Sequence, residues 1–179
     1  DMLENYMTDP LLLQEIEWAL VSMSSLALEP LAVAVKEGKV SSGAALLVLT
    51  RIARQEPGMV TPLLKDEHDG LARLSAVAVA SCGHPGKLDA LLAVFDDASS
   101  GARQATLQSV CNISRSKCLE LVEKSLKGDD EQLKLAALGL MKMVKEPRLA
   151  ALCVPLLHSD SRLLVAAAME TLTALGARG

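Results

Sequence analysis

Residues 157–176 read LHSDSRLLVAAAMETLTALG, and residues 126–144 read LKGDDEQLKLAALGLMKMV. Aligned on their first leucine, both have a polar turn with an acid, then an aliphatic residue (Leu133, Leu164), an alanine run, and a large aliphatic near the end (Met141, Leu172). The step between them is 31 residues, and it continues backwards along the chain. Leu64, Phe95, Leu126 and Leu157 fall on it, as do Leu71, Ala102, Leu133 and Leu164. So do Leu74, Ala105, Ala136 and Ala167, then Val79, Val110, Met141 and Leu172, then Cys82, Ile113, Val144 and Leu175. A unit this short cannot bury its own apolar face, so neighbouring units must stack on one another.

Each unit reads as a shorter helix A, a polar turn and a longer helix B. Counting from the first aliphatic residue of helix B as position i, apolar residues recur at i, i+3, i+4, i+7, i+8 and i+11, a helical stripe. In the last unit these are Leu164, Ala167, Ala168, Thr171, Leu172 and Leu175, and helix A has its own column in Val60, Leu91, Val122 and Cys153. The expected fold is all-α, an α-solenoid of antiparallel helix pairs in one domain spanning residues 1–179. Repeats are expected at 29–56, 57–83, 84–114, 115–145 and 146–179, after a degenerate unit at 1–28 that holds Trp18. In that first unit Asp9 is placed to cap a helix from Leu11 to about Leu26, with Pro10 fitting its first turn.

Composition narrows the function. Half of the 179 residues are hydrophobic and 2% are aromatic, so Ala and Leu build the core, and ring stacking on nucleobases has no material. A formal net charge of −4 further opposes nucleic-acid binding. No uncharged apolar run is long enough for a membrane span, and no signal peptide is visible. The opening Asp1 and the closing LTALGARG suggest a piece of a longer polypeptide. Cys82 and Cys153 sit in apolar columns as small hydrophobes. Cys111 and Cys118 flank a turn and could meet, but the pattern favours reduced thiols and a cytoplasmic setting.

Turns between A and B are acidic (Asp66, Glu67 and Asp69; Asp96 and Asp97; Asp129, Asp130 and Glu131; Asp160). Turns between units are basic (Arg51 and Arg54; His84 and Lys87; Arg115 and Lys117; Lys145 and Arg148). Acids near the start of helix B and bases near its end suit the helix dipole. The same sorting would also supply two charged edges for recognition.

The stretches 157–176 and 126–144 resemble the second half of a short HEAT repeat, and FDDASSGARQATLQSVCNI (residues 95–113) matches more loosely. The short period is similar to the phycobilisome-lyase-type HEAT-like subclass. This resemblance implies a right-handed superhelix with helices A outside and helices B lining a concave face. It also implies a scaffold or protein-binding role, with a minority of relatives being enzymes of lyase or protein-modification type or nucleic-acid binders.

No catalytic set answers to the enzyme option. The paired His-Glu motifs of HEAT-like iron enzymes are missing, and the three histidines, His68, His84 and His158, are scattered. Packed helices lie about 8–10 Å apart, which would put His68 and His158 roughly 30 Å from each other. Cys82 with His84 is a lone pair of ligand types. No nucleophile elbow, dinucleotide-binding loop or phosphate loop occurs. Catalytic residues, metal ligands and cofactors are therefore expected to be none.

The candidate site is the concave face of helices B. At i+5 stand Leu46, Ala76, Leu107, Leu138 and Met169, and at i+2 Gly43, Arg73, Gln104, Leu135 and Ala166. At i+9 stand Thr50, Ala80, Cys111, Lys142 and Thr173. The apolar i+5 row is either half buried between adjacent B helices, or a shallow ridge flanked by Arg73, Arg103, Lys134 and Lys142. A ridge would suit an amphipathic helix or extended peptide carrying acidic residues. The last helix B has only Arg162 and Glu170 as charges, so it invites cover by further repeats or by another copy of the chain.

Overall fold

The computed structural model describes residues 25–176. The expected first helix with its Asp9 cap, and Trp18, lie outside them. The described residues contain α and 3-10 helices and no strand. The α helices are α1 (Ser25–Lys36), α2 (Ser42–Gln55), the short α3 (Pro57–Val60), α4 (Asp69–Ser81), α5 (Lys87–Val94), α6 (Ser100–Ile113), α7 (Arg115–Lys127), α8 (Glu131–Val144) and α9 (Arg162–Gly176). Stretches Thr61–Lys65, Pro147–Cys153 and Pro155–His158 are 3-10. Helices B are thus α2, α4, α6, α8 and α9. Helix α1 runs through residue 29, so the first pair begins slightly earlier than the spacing suggested.

The start of each helix B is set by one recurring device. The side chains of Ser41, His68, Ser99, Asp130 and Ser161 each accept a hydrogen bond from the backbone N–H three residues on, at 3.3, 3.1, 3.2, 3.0 and 3.4 Å. Each satisfies a donor that the first helical turn would otherwise leave unpaired. The last four caps keep the 31-residue step. Helix A is less regular, and proline is the reason. Pro62 and Pro155 occupy the same column, three repeats apart, and both lie in 3-10 segments. Proline offers no N–H and crowds the preceding turn. Where that column holds Ala93 or Lys124, the segment stays α-helical as α5 or α7.

The chain divides into two compact units, residues 1–102 and 103–179. In the first, α2 packs on α4, α4 on α5, and the Thr61–Lys65 segment on α5. In the second, α8 packs on α9 and α7 on the Pro147–Cys153 segment. Inside each unit B therefore stacks on B and A on A, the solenoid arrangement that the period demanded.

The helix-A column is core throughout, with Val60, Leu91, Val122 and Cys153 all at most 1% exposed. The helix-B stripe is rotated from its expected position. Positions i, i+4, i+5 and i+8 are buried in the inner repeats, whereas Leu74, Ala105, Ala136 and Ala167 at i+3 are half-buried. Ile113 at i+11 is 37% exposed. Inside each unit the stripe turns towards i+5 because a B helix packs on another B helix, α2 on α4 and α8 on α9, as well as on its own helix A. Both flanks of the stripe carry Ala and Leu, so composition alone could not choose between them.

Candidate functional site

The rotation changes which residues reach solvent. Ala76, Leu107 and Leu138 are fully buried, so three members of the proposed i+5 ridge are core. Leu46 is half-buried, and Met169 is 58% exposed because no described helix follows α9. The face of helices B turned to solvent lies about 100° further round, centred on i+6 and flanked by i+2 and the mostly half-buried i+9. The i+6 column, absent from the sequence-based candidates, reads Leu47, Val77, Gln108, Gly139 and Glu170. Only an accessibility measurement on the folded chain distinguishes it from its apolar neighbours.

In the first unit this face is apolar. Leu47 on α2 is 59% exposed and Val77 on α4 is 36% exposed, one repeat apart on packed helices. Gly43 precedes Leu47 by one turn, leaving space beside it, since nothing lies within 4 Å of an added Cβ. Arg73 stands one turn before Val77 and pairs with Asp69 at 2.9 Å. In the second unit the same face is more polar. Leu135, Gly139 and Lys142 on α8 adjoin Ala166 and Glu170 on α9, and the Lys142 ammonium pairs with the Glu170 carboxylate at 3.0 Å.

The remaining sequence candidates separate. Leu135, Lys142 and Met169 belong to the second unit's B helices, and Gln104 is half-buried on α6. Arg103 does not flank a ridge: it pairs at 3.1 Å with Asp130, the cap of α8. Lys134 lines an open cavity of about 450 Å³ with Leu126, Lys127, Leu152 and Pro155. Both basic groups sit at the A–B turn edge, because they belong to the first turn of their helices.

That edge is not the acidic strip the turns suggested. Lys36 reaches Asp66 at 2.6 Å, Lys65 reaches Asp97 at 2.8 Å, and Ser161 donates to Glu131 at 2.6 Å. Each of these contacts crosses about one repeat and stays within one compact unit, so the acids tie neighbouring repeats together. Burial works to raise the Asp66 carboxyl, but Lys36 and the His68 N–H outweigh it and hold it below its usual 3.8. On the other edge Arg54 donates to the Cys82 carbonyl at 3.2 Å and Arg115 to the Val144 carbonyl at 3.2 Å. Arg115 and Arg148 both face Glu146, and Arg148 chiefly lowers that carboxyl.

The histidines and cysteines do local work. His68 caps α4, and His84 Nδ1 accepts from the Gly86 N–H at 3.0 Å. Among the described residues no three His, Cys, Asp or Glu side chains are grouped to hold a metal ion. Cys82 and Cys153 are free and buried, and burial pushes the Cys153 thiol up. Cys111 and Cys118, expected to be reduced, form a disulfide between the end of α6 and the first turn of α7. The turn brings their Cα atoms to 4.3 Å. Persistent disulfides belong to oxidising surroundings, so the cysteines no longer support a cytoplasmic setting. No helix among the described residues is long and apolar enough to cross a membrane.

No protein-family profile matches the chain, and no curated protein does. Among solved structures it is similar to a designed armadillo repeat protein, YIII(Dq)4CqI. The identity is 15%, the TM-score 0.43, and the match covers 94% of this chain and 95% of that one.

Proposed function

We propose that the chain is a non-enzymatic protein-interaction module built from short HEAT-like repeats. It would take an amphipathic helix or an extended peptide on the exposed face of its B helices. The observation that carries this reading is the pair Leu47 and Val77, two large aliphatic side chains left in solvent one repeat apart. Packed helices lie about 8–10 Å apart, which matches anchors roughly two turns apart on a bound helix. Arg73 beside Val77 favours a partner with an acid next to its apolar anchors, an arrangement that steers the encounter as well as fixing register. In the second unit Leu135, Gly139 and Lys142 on α8 stand at the corresponding positions, and the face there is more polar. Soluble repeat modules work this way because a rigid stack presents a pre-organised surface.

Panning a random peptide library against the whole chain tests the reading. Enriched peptides should carry spaced aliphatic anchors with nearby acids, and should lose at least tenfold in affinity for the Leu47→Glu, Val77→Glu double variant. Peptides that bind the folded double variant as tightly as the parent would overturn it. The apolar helix α9 is a second contact surface on this view.

A further inference from the structure

The turn between α6 and α7 carries a motif that the repeat period does not explain. Residues 111–118 read CNISRSKC. Asn112, Ile113 and Ser114 form an asparagine–X–serine triplet without proline, the acceptor pattern for an N-linked glycan. Of the chain's two asparagines, Asn5 and Asn112, only Asn112 has a hydroxyl residue two positions on. The triplet is short, so its surroundings decide whether it is usable.

Three features of the fold make it so. Asn112 is exposed, and it stands at i+10 of its helix B. That column, Arg51, Ser81, Asn112, Met143 and Ala174, is exposed in every repeat, so packing leaves room there for a bulky group. The triplet also runs out of a helix end. Helix α6 stops at Ile113, and Ser114 is extended, with φ −145° and ψ 113°. Residues two apart on a helix point about 200° away from each other, so an enzyme gripping both Asn112 and Ser114 must unwind helix. Here it need unwind only the last turn, the part of a helix that opens most easily. Finally, Cys111 beside Asn112 is bonded to Cys118. Lasting disulfides belong to the secretory and extracellular setting in which such asparagines are also glycosylated.

We propose that Asn112 is an N-glycosylation site. The donor class is an oligosaccharide linked to lipid pyrophosphate. The Asn112 carboxamide Nδ2 forms a bond to the anomeric carbon of the first sugar and gives up one of its protons. The bond from that carbon to the pyrophosphate oxygen breaks, and its electron pair leaves with the lipid pyrophosphate. In the folded chain the Ser114 hydroxyl is occupied as the cap of α7, accepting from the Lys117 N–H. The disulfide closes the loop that holds the same three residues. Transfer therefore comes first, and α7 and the disulfide form afterwards. The finished glycan stands beside Ile113, which is 37% exposed, and shields it from unwanted contacts. The inference does not depend on the Leu47 and Val77 face.

Mass spectrometry of the chain isolated from the cells that make it tests the assignment. Trypsin should release residues 104–115 as one peptide after reduction. Peptide-N-glycosidase in heavy-oxygen water should convert Asn112 to an aspartate that carries the heavy oxygen. Asn112→Gln and Ser114→Ala, made in the same cells, should each lose the sugar entirely. Ser114→Thr should keep it, because threonine retains both the hydroxyl and the cap. Circular dichroism confirms that each variant is folded. An Asn112 that is unmodified in every molecule overturns the proposal. A sugar that persists in Asn112→Gln overturns it as well, by placing the attachment elsewhere. Neither result bears on the peptide-panning test.

Discussion

Leu138 and Gly139 are adjacent on α8, yet substituting alanine at each should shift stability in opposite directions. Leu138 is fully buried where α8 meets α9, and its backbone carbonyl accepts from the Thr171 hydroxyl at 3.3 Å. Truncating it removes the buried part of a leucine and leaves a cavity between two packed helices. Such changes cost about 2–5 kcal/mol. Both helices are held by caps and cross-repeat bonds, which limits collapse and favours the middle of that range, about 3 kcal/mol. Gly139 sits about 100° away on the solvent side, and nothing lies within 4 Å of a Cβ added there. Alanine at that position relieves the backbone entropy glycine loses in a helix, about 0.5–1 kcal/mol, with no steric penalty. Urea unfolding followed by circular dichroism measures both, fitted by segment because two compact units need not unfold together. A Leu138→Ala variant less than 1 kcal/mol below the parent would refute the assignment of the i+5 column to the core. A Gly139→Ala variant destabilised by more than about 0.5 kcal/mol would refute the exposure of the i+6 column.

Four further outcomes follow from the same structure. Lys145 ends α8 with φ +53°, whereas its repeat counterpart two units back, Gly83, has φ +78° at no steric cost; Lys145→Gly should therefore stabilise by about 1 kcal/mol in the same assay. The Thr106 hydroxyl is buried without a hydrogen-bond partner, while Thr171 donates to the Ala167 carbonyl at 2.7 Å. Thr106→Val should thus gain about 1 kcal/mol, and Thr171→Val should lose about as much, with equal gains or equal losses contradicting the contrast. Because Asp66 is held below its usual value in the folded chain, its ion pair with Lys36 stabilises above about pH 4 and fades as pH falls through the folded-state value. The stability deficit of Lys36→Met should accordingly be present at neutral pH and disappear once the pH falls below the folded-state value of Asp66, and a deficit unchanged by acid would exclude the pair as its cause. Reducing the Cys111–Cys118 disulfide, which closes a loop with a separation of only 7 residues, should cost roughly 2–3 kcal/mol of stability in the second unit and leave the first untouched.

The sequence by itself determined the helix pairs, their period and the ends of most helices. Val60, Leu91, Val122 and Cys153 announced their column because each is apolar at a fixed step and each is buried, whatever the details of packing. The caps at Ser99, Asp130 and Ser161 and the prolines at 62 and 155 are equally local, since a cap or a missing N–H acts within one turn. What only the tertiary structure decided is the rotation of each B helix about its own axis. Alanine and leucine stand on both flanks of the apolar stripe, so the sequence allowed either flank to face outwards. Packing of B on B inside each unit resolved that choice for Ala76 and Leu138, which are buried as Leu107 is, while Leu47 and Val77 stay in solvent. The cross-repeat pairs of Lys36, Lys65 and Arg103 were hidden for the same reason, because their partners lie about 30 residues away and meet only when neighbouring repeats stack.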